Sequence, residues 1–117
     1  MSISSTYKSK FSFDTRKNES SRIRAKYIDH IPVIVDKGDN IKENINKQKF
    51  LVPYNFTVGQ FIYVIRRRIN LPPEKAIFVF INHVIPNVSD SIGQIYDKYK
   101  DEDGFLYVVY TSENTFG

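Results

Sequence analysis

The order in which strand-like and helix-like segments follow one another constrains the fold of this chain more than any other feature. Residues 31–35 are a short β-branched run, and residues 50–52 form a second apolar run that ends at Pro53, so the two predict a hairpin. Proline donates no hydrogen bond to a strand ladder, which places the second strand at an edge of the sheet. Two further strand-like runs occupy 76–81 and 105–111, and the last is apolar on both faces, as expected of a central strand.

Two capping boxes mark the helices between these strands. Thr57 and Gln60 form the first box, and apolar residues recur at helical spacing after it until the proline pair at 72–73 ends the pattern. Ser91 and Gln94 form the second box and are followed by a shorter apolar stripe. The first of these helices is therefore the predicted core helix.

The N-terminal region is predicted to be helical and basic. A helix is expected over 13–26, where Pro and Gly are absent, and Phe13, Ile23 and Tyr27 would form the narrow apolar stripe by which it docks. Residues 1–30 hold seven Lys and Arg against three Asp and Glu. This excess suits acidic partners, lipid head groups or tubulin-like surfaces, and it equally suits a solvated helix face.

These elements together predict one domain of the α+β class. A chain of 117 residues has room for a single hydrophobic core. The order β-β-α-β-α-β matches the β-grasp (ubiquitin-like) arrangement, in which helices cover a mixed four-stranded sheet. We expect an N-terminal helical extension at 1–28, the β-grasp domain at 29–111 and a flexible C-terminal tail at 112–117.

Composition excludes several classes of function. The chain has no Cys, which rules out disulfides, thiolate zinc sites and a cysteine nucleophile. His30 and His83 are isolated, and the acidic run at 101–103 lacks the ligand spacing of a calcium loop, so we expect a turn there. No apolar run approaches the roughly 20 residues that cross a bilayer, and a soluble chain is expected. We therefore predict a protein that is not an enzyme and has no metal site or cofactor.

An RNA-binding domain is the alternative that the residues favour next. Residues 104–110 are similar to the aromatic strand motif of RNA-recognition domains. Asp103 stands where that motif has a basic residue and Leu106 where it has a small one, and the three adjacent acids would repel phosphates. Nucleic acid is therefore not a predicted partner.

Most of the chain from Phe13 onward resembles the GABARAP-like autophagy modifiers. The similarity is carried, in order along the chain, by residues 24–27, 31–35, 49–53, 57–61, 65–69, 81–86, 101–107 and 114–117. It implies a ubiquitin-like domain preceded by two N-terminal helices. It also implies a non-enzymatic tag whose catalytic cysteines belong to its partners, which agrees with the absence of Cys.

The resemblance implies that Gly117 is joined to phosphatidylethanolamine on autophagosomal membranes, which makes the protein cytoplasmic first and membrane-associated after conjugation. The implied partners are the activating and conjugating enzymes of the pathway, a deconjugating cysteine protease, cargo receptors, phosphatidylethanolamine membranes and, through the basic N-terminus, microtubules. Family members are commonly made with residues after this glycine that a protease removes. This sequence ends at Gly117, so either an encoded or a processed end is compatible with it.

The resemblance also implies a groove for receptor segments in which an aromatic residue, two spacers and an aliphatic residue dock as an added strand beside 49–53. The first pocket, for the aromatic residue, would involve Glu19, Ile23, Pro32, Ile34, Lys49, Leu51 and Phe105. The second pocket, for the aliphatic residue, would involve Phe50, Val52, Pro53, Phe56, Phe61, Val64 and Arg68. Alanine at Leu51 or Phe50 is expected to weaken receptor binding much more than it lowers stability.

Two departures from the family pattern and one alternative remain. The chain has Tyr-Ile-Asp-His at 27–30 where the family often has Tyr-Pro-Asp-Arg, and its loop at 39–47 is rich in Asn and Lys with no motif. The alternative is a ubiquitin-like adaptor that binds peptides in the same groove and is never conjugated.

Overall fold

The computed structural model of the protein describes residues 6–112. Gly117, the predicted conjugation residue, lies outside the described residues together with the rest of 113–117 and with 1–5. The elements of the described chain are α1 (Thr6–Lys10), α2 (Phe13–Lys26), β1 (His30–Lys37), β2 (Lys49–Pro53), α3 (Val58–Arg68), β3 (Phe78–Phe80), α4 (Ile92–Tyr99) and β4 (Leu106–Thr111). Within this range no helix combines the length and the hydropathy that a bilayer crossing requires.

The four strands form one mixed sheet in the order β2-β1-β4-β3. β1 pairs antiparallel with β2 and parallel with β4, and β3 pairs antiparallel with β4. The predicted hairpin, the edge position of β2 and the central position of β4 are thus confirmed, as is the α+β, β-grasp class. The long-range parallel pairing of β1 with β4 places the first and last strands side by side in the middle of the sheet.

The sheet separates two apolar clusters because side chains alternate along β1. Val33 and its alternating neighbours face α3 and α4, where Phe61 and Ile65 belong to the larger cluster. Ile34 faces the N-terminal helices and packs in a smaller cluster with Tyr7, Ile23 and Phe105. The N-terminal helices therefore cover one face of the sheet and the core helix covers the other.

The two predicted capping boxes are both present. The Thr57 hydroxyl accepts from the Gln60 backbone N–H at 3.1 Å, and the Gln60 side chain accepts from the Thr57 N–H at 2.8 Å. Ser91 and Gln94 make the same pair of contacts at the start of α4. Local hydrogen bonds of this kind fix where a helix begins, whatever the tertiary surroundings.

The docking stripe of α2 differs from the predicted one. Phe13 and Tyr27 are 44% and 38% exposed, and only Ile23 of the predicted trio is buried. The buried positions on α2 are Arg16, Ser20 and Ile23, which recur at helical spacing. The helix therefore docks through a largely polar face, which an apolar pattern does not reveal.

The polar face of α2 is held by the turn that precedes β4. The Asp103 carboxylate is fully buried and accepts from the Arg16 guanidinium, the Tyr107 hydroxyl and the Phe105 backbone N–H. Ser20 donates to the Asp103 carbonyl. Burial and the hydrogen bond to Asp103 both raise the pKa of Tyr107, so its hydroxyl stays protonated. The acidic run is the predicted turn, but Asp103 is an internal anchor and presents no charge to a phosphate at the surface.

Gly104 completes this turn with a backbone φ of +91°. A Cβ at this position would meet the Ser20 side chain at less than 3.0 Å. Both the left-handed conformation and the close approach of α2 thus favour glycine here.

Strand bounds also differ from those predicted. β1 extends from His30 to Lys37 through Pro32 and Asp36, whereas β3 is restricted to Phe78–Phe80. Pro32 is tolerated because its nitrogen points toward β4 one residue before β4 begins pairing at Leu106. Asp36 is tolerated because its carboxylate accepts from the Thr6 hydroxyl and the Gln48 amide.

Candidate peptide-binding groove

The outer edge of β2 presents backbone groups to a partner strand. The Val35 N–H donates to the Gln48 carbonyl and the Tyr54 N–H donates to the Asp29 carbonyl, each at 2.8 Å. Hydrogen-bonded and non-hydrogen-bonded pairs alternate along an antiparallel ladder. Lys49 and Leu51 therefore direct their N–H and C=O groups away from β1, toward the outer edge of the sheet.

The structure brings the seven residues of the predicted first pocket to one face of β1 and β2. Ile23, Ile34 and Phe105 form its apolar floor and are at most 9% exposed. Pro32 lies opposite Leu51 in the strand register, and Leu51 is 39% exposed. Sequence reasoning missed one member of this floor, Tyr7 of α1, whose ring centroid is 5.5 Å from that of Phe105.

Charged residues close the rim of the first pocket. The Glu19 carboxylate accepts from the Lys49 ammonium at 2.8 Å and, through both of its oxygens, from Arg22 at 2.8 Å. The hydrogen bond from Arg22 lowers the pKa of Glu19 most, and the one from Lys49 lowers it next most. The carboxylate is therefore ionised at neutral pH. The Glu19 to Lys49 bridge therefore spans the rim between α2 and β2.

The predicted second pocket lies on the opposite face of β2. Phe50, Val52 and Phe61 are at most 6% exposed, and the rings of Phe50 and Phe61 pack edge to face with centroids 5.7 Å apart. These three residues belong to the main core and form the floor of the pocket. Its rim is formed by the partly buried Phe56 and Val64 and by the exposed Arg68. Pro53, also predicted for this pocket, is exposed and lies on the side of β2 that carries Lys49 and Leu51, because side chains alternate along a strand.

Two cations flank the ring of Phe50 at this pocket. The Arg68 guanidinium carbon is 5.9 Å from the ring centroid, and the Lys47 ammonium is 5.3 Å from it. Lys47 was missed in the sequence because it lies in the Asn- and Lys-rich loop, which has no recognisable motif. The groove is therefore lined by apolar side chains and bordered by positive charge at both pockets.

The described residues offer no ready metal centre. No cluster of three or more His, Cys, Asp or Glu side chains suited to a metal occurs within 6–112. In the same range every buried polar side-chain atom has a hydrogen-bond partner.

Comparisons with known proteins agree with the fold. Residues 15–117 match the family model described as "Autophagy protein Atg8 ubiquitin like". The chain is 55% identical over 115 residues to "Autophagy-related protein 8" of Pichia angusta, covering 97% of this chain and 91% of that protein. It is also 55% identical over 114 residues to the protein of the same description from Schizosaccharomyces pombe, covering 97% and 94%.

Solved structures give the same result. The crystal structure of Trypanosoma brucei ATG8 superposes with a TM-score of 0.90 at 41% identity, covering 98% of this chain and all of that one. The structure of Plasmodium falciparum Atg8 in complex with a P. falciparum Atg3 peptide superposes with a TM-score of 0.87 at 36% identity, covering 95% and 98%.

Proposed function

The chain belongs to the Atg8 family of autophagy-related ubiquitin-like proteins, and from that premise we propose that it is a tag conjugated through Gly117 to phosphatidylethanolamine, with a receptor-binding groove beside β2. The family consists of ubiquitin-like modifiers and not of enzymes. In this proposal the protein is cytoplasmic before conjugation and associates with autophagosomal membranes after it, where the groove recruits cargo receptors with an aromatic-x-x-aliphatic motif.

The edge position of β2 between two pockets is the observation that carries the receptor-binding part of the proposal. Lys49 and Leu51 offer N–H and C=O groups to an added strand, which supplies affinity without depending on ligand sequence. Specificity then comes from the side chains of the added strand that enter the pockets. The placement of one pocket on each face of β2 thus determines which motif binds.

The spacing of the motif follows from the placement of the pockets. The first pocket lies on the face covered by α2, and the second lies on the face covered by α3. Successive side chains of a strand point to opposite faces, so two anchors that enter opposite faces differ in position by an odd number. An aromatic residue followed by an aliphatic residue three positions later fits this rule and spans about 10 Å at about 3.3 Å per residue.

The cations at the groove favour acidic residues beside the motif. Lys49, Lys47 and Arg68 all border the pockets. Rim charges of this kind mainly raise the association rate, and salt screens their effect. Affinity for a peptide with acidic flanks is therefore expected to decrease with added salt.

Backbone amide exchange tests the groove directly. On binding a peptide with the aromatic-x-x-aliphatic motif, the amides of Lys49 and Leu51 are expected to exchange more slowly by roughly fivefold or more, because each gains a hydrogen bond worth about 1 kcal/mol or more. The amides of Phe50 and Val52 point toward β1 and are already protected. Hydrogen exchange monitored by NMR distinguishes these neighbouring positions.

A peptide with alanine at the aromatic position is the control, since it removes the first anchor and leaves the backbone unchanged. Equal slowing at all four positions would indicate a general stabilisation of the protein, and no slowing at Lys49 and Leu51 would show that the peptide does not add a strand to β2.

The conjugating enzyme is proposed as a second occupant of the groove. The Plasmodium falciparum relative is in complex with a peptide of Atg3. Because the present chain has no Cys, every thioester in the conjugation pathway must be carried by a partner. The other proposed partners are the activating enzyme, the deconjugating cysteine protease and, at the basic N-terminus, microtubules.

Reconstituted conjugation tests the attachment at Gly117. Purified protein, the activating and conjugating enzymes of its pathway, ATP and phosphatidylethanolamine liposomes are combined, and intact mass is read before and after. We expect a gain of one lipid, formed as an amide between the Gly117 carboxyl carbon and the lipid amine with loss of one water. Gly117→Ala is expected to abolish this gain, because a Cβ obstructs the narrow clefts through which an unbranched end can pass.

Thr115→Ala is the matched control, because it changes the same tail by a similar volume and leaves Gly117 in place. Full conjugation of Gly117→Ala would exclude a requirement for glycine. No conjugation of the unmodified chain, with enzymes active on another modifier, would leave only the adaptor that binds peptides and is never conjugated.

A further inference from the structure

A cleft with a mixed polar and apolar lining lies beside the point where the described chain ends. It has a volume of about 510 Å³. Its polar lining residues are Thr6, Lys10, Lys37, Asn44, Asn46 and Gln48, and Val35, Ile45 and Tyr110 line the rest. α1, the end of β1 and the Asn- and Lys-rich loop each contribute to it. Neither the receptor groove nor the proposed attachment at Gly117 makes use of these residues.

The chemistry of the cleft is that of an anion site. Lys37 donates to the neutral side-chain oxygen of Asn44 at 2.9 Å, so its charge has no carboxylate opposite it. None of the ion pairs recorded among residues 6–112 includes Lys10 or Lys37. The carboxylate beneath, Asp36, is only 2% exposed and already accepts from Thr6 and Gln48. The charged residues that line the cleft are therefore both lysines, Lys10 and Lys37.

The position of the cleft relative to the tail is the second observation. Tyr110 also lines it and stands opposite Lys37 in the register of β1 and β4. Ser112, two residues later, donates to the Asn40 carbonyl of the same loop. The cleft thus lies at the end of the sheet from which the chain continues toward Gly117.

The length of that continuation restricts how a conjugated molecule faces a membrane. Gly117 lies five positions after Ser112, and five residues span at most about 17 Å. The shortest dimension of the described molecule is 24 Å. Once Gly117 is attached to a lipid, Ser112 therefore lies within about 17 Å of the attachment point, which keeps this end of the sheet close to the bilayer.

We propose that this cleft binds the phosphate groups of anionic lipid head groups when Gly117 is attached to the bilayer. The inference rests on the proposed conjugation, since it is the tether that brings the cleft to the membrane. Phosphate oxygens accept hydrogen bonds from Lys10, Lys37 and the Asn side chains. Each lysine near an anionic bilayer contributes about fivefold to the apparent affinity for that surface.

The absence of Cys permits a test without any enzyme of the pathway. A Gly117→Cys variant has a single thiol, which is coupled to a maleimide-headgroup lipid in phosphatidylcholine vesicles with or without phosphatidylserine. Amide exchange is then measured over 38–47, with α3 as the internal reference. We expect exchange over 38–47 to slow by roughly fivefold or more on the anionic vesicles compared with the neutral ones, and the difference to disappear in high salt.

Two double variants in the same background separate the cleft from net charge. Lys10→Gln with Lys37→Gln is expected to remove the slowing, whereas Lys98→Gln with Lys100→Gln, which removes two lysines near α4, is expected to keep it. Equal exchange on the two kinds of vesicle, or equal loss in both double variants, would overturn the proposal. Slowing by inorganic phosphate alone, without vesicles, would show that the cleft takes free phosphate and would overturn its assignment to the bilayer.

The chemical tether keeps this result distinct from the proposed function. Slowing on anionic vesicles together with failed enzymatic conjugation would refute the conjugation and leave the cleft as a headgroup site. Successful enzymatic conjugation without slower exchange on anionic vesicles would support the conjugation and refute the headgroup site.

Discussion

Replacing Asp103 by alanine is expected to lower the free energy of unfolding by about 3–5 kcal/mol, the range for breaking a buried ion pair from one side. The carboxylate is fully buried, and Arg16 is 9% exposed. Without Asp103 the guanidinium retains its hydrogen bond to the Phe11 carbonyl but loses its counter-charge. The Tyr107 hydroxyl and the Phe105 N–H lose their acceptor at the same time.

Urea unfolding of Asp103→Ala and of Glu102→Ala measures this effect against a neighbour in the same turn. Glu102 is exposed, so its replacement is expected to change stability by no more than about 0.5 kcal/mol. Combining Asp103→Ala with Arg16→Met is expected to cost less than the sum of the single changes, because no charge is then left buried alone. A loss below about 1 kcal/mol in Asp103→Ala would show that the pair does not hold α2.

This ion pair is also the clearest case of what the sequence did not predict. Arg16 and Asp103 are 87 positions apart, and neither lies in an apolar pattern. The helix at 13–26 was predicted, but its contacts were assigned to Phe13, Ile23 and Tyr27, of which only Ile23 is buried. An apolar stripe is the only docking signal that a helix shows locally. A buried polar contact depends on the partner brought in by tertiary structure.

Elements fixed by local hydrogen bonds were predicted correctly. The boxes at Thr57 and Ser91 are closed within four residues, so both helix starts follow from the sequence alone. The edge position of β2 was predicted for a similar reason, since the missing N–H of Pro53 is a property of one residue. Strand bounds that depend on the neighbouring strand, such as those of the short β3, were not predicted correctly.

The candidate site shows the same division. Its apolar residues were identified from the resemblance, and the structure brings them together on the two faces of β2. Tyr7 was missed because α1 has five residues, too few to show a period. Lys47 was missed because a loop cation is placed over Phe50 by the path of the loop, which composition does not specify.

The structure also separates two substitutions that the sequence treated alike. Phe50→Ala is expected to lower the free energy of unfolding by about 3–5 kcal/mol, because the side chain is 6% exposed and packs on Phe61 in the main core. This revises the prediction that Phe50→Ala would weaken receptor binding much more than it lowers stability. Leu51 is 39% exposed, so Leu51→Ala is expected to cost less than about 1 kcal/mol of stability.

Leu51→Ala is expected to have its large effect on receptor affinity and not on stability. Leu51 stands at the opening of the first pocket, and its loss is expected to raise the Kd of an aromatic-x-x-aliphatic peptide by about tenfold or more, the effect of removing one interface anchor. Calorimetric titration of the folded variants gives this number, and urea unfolding gives the stability of the same samples. Val84→Ala is the control, since Val84 is 50% exposed and pairs with Ile81 just beyond β3, the opposite edge of the sheet. A Kd for Leu51→Ala within about twofold of the unchanged protein would place the peptide elsewhere, because an anchor at the pocket opening contributes far more than the 0.4 kcal/mol that corresponds to about a twofold change.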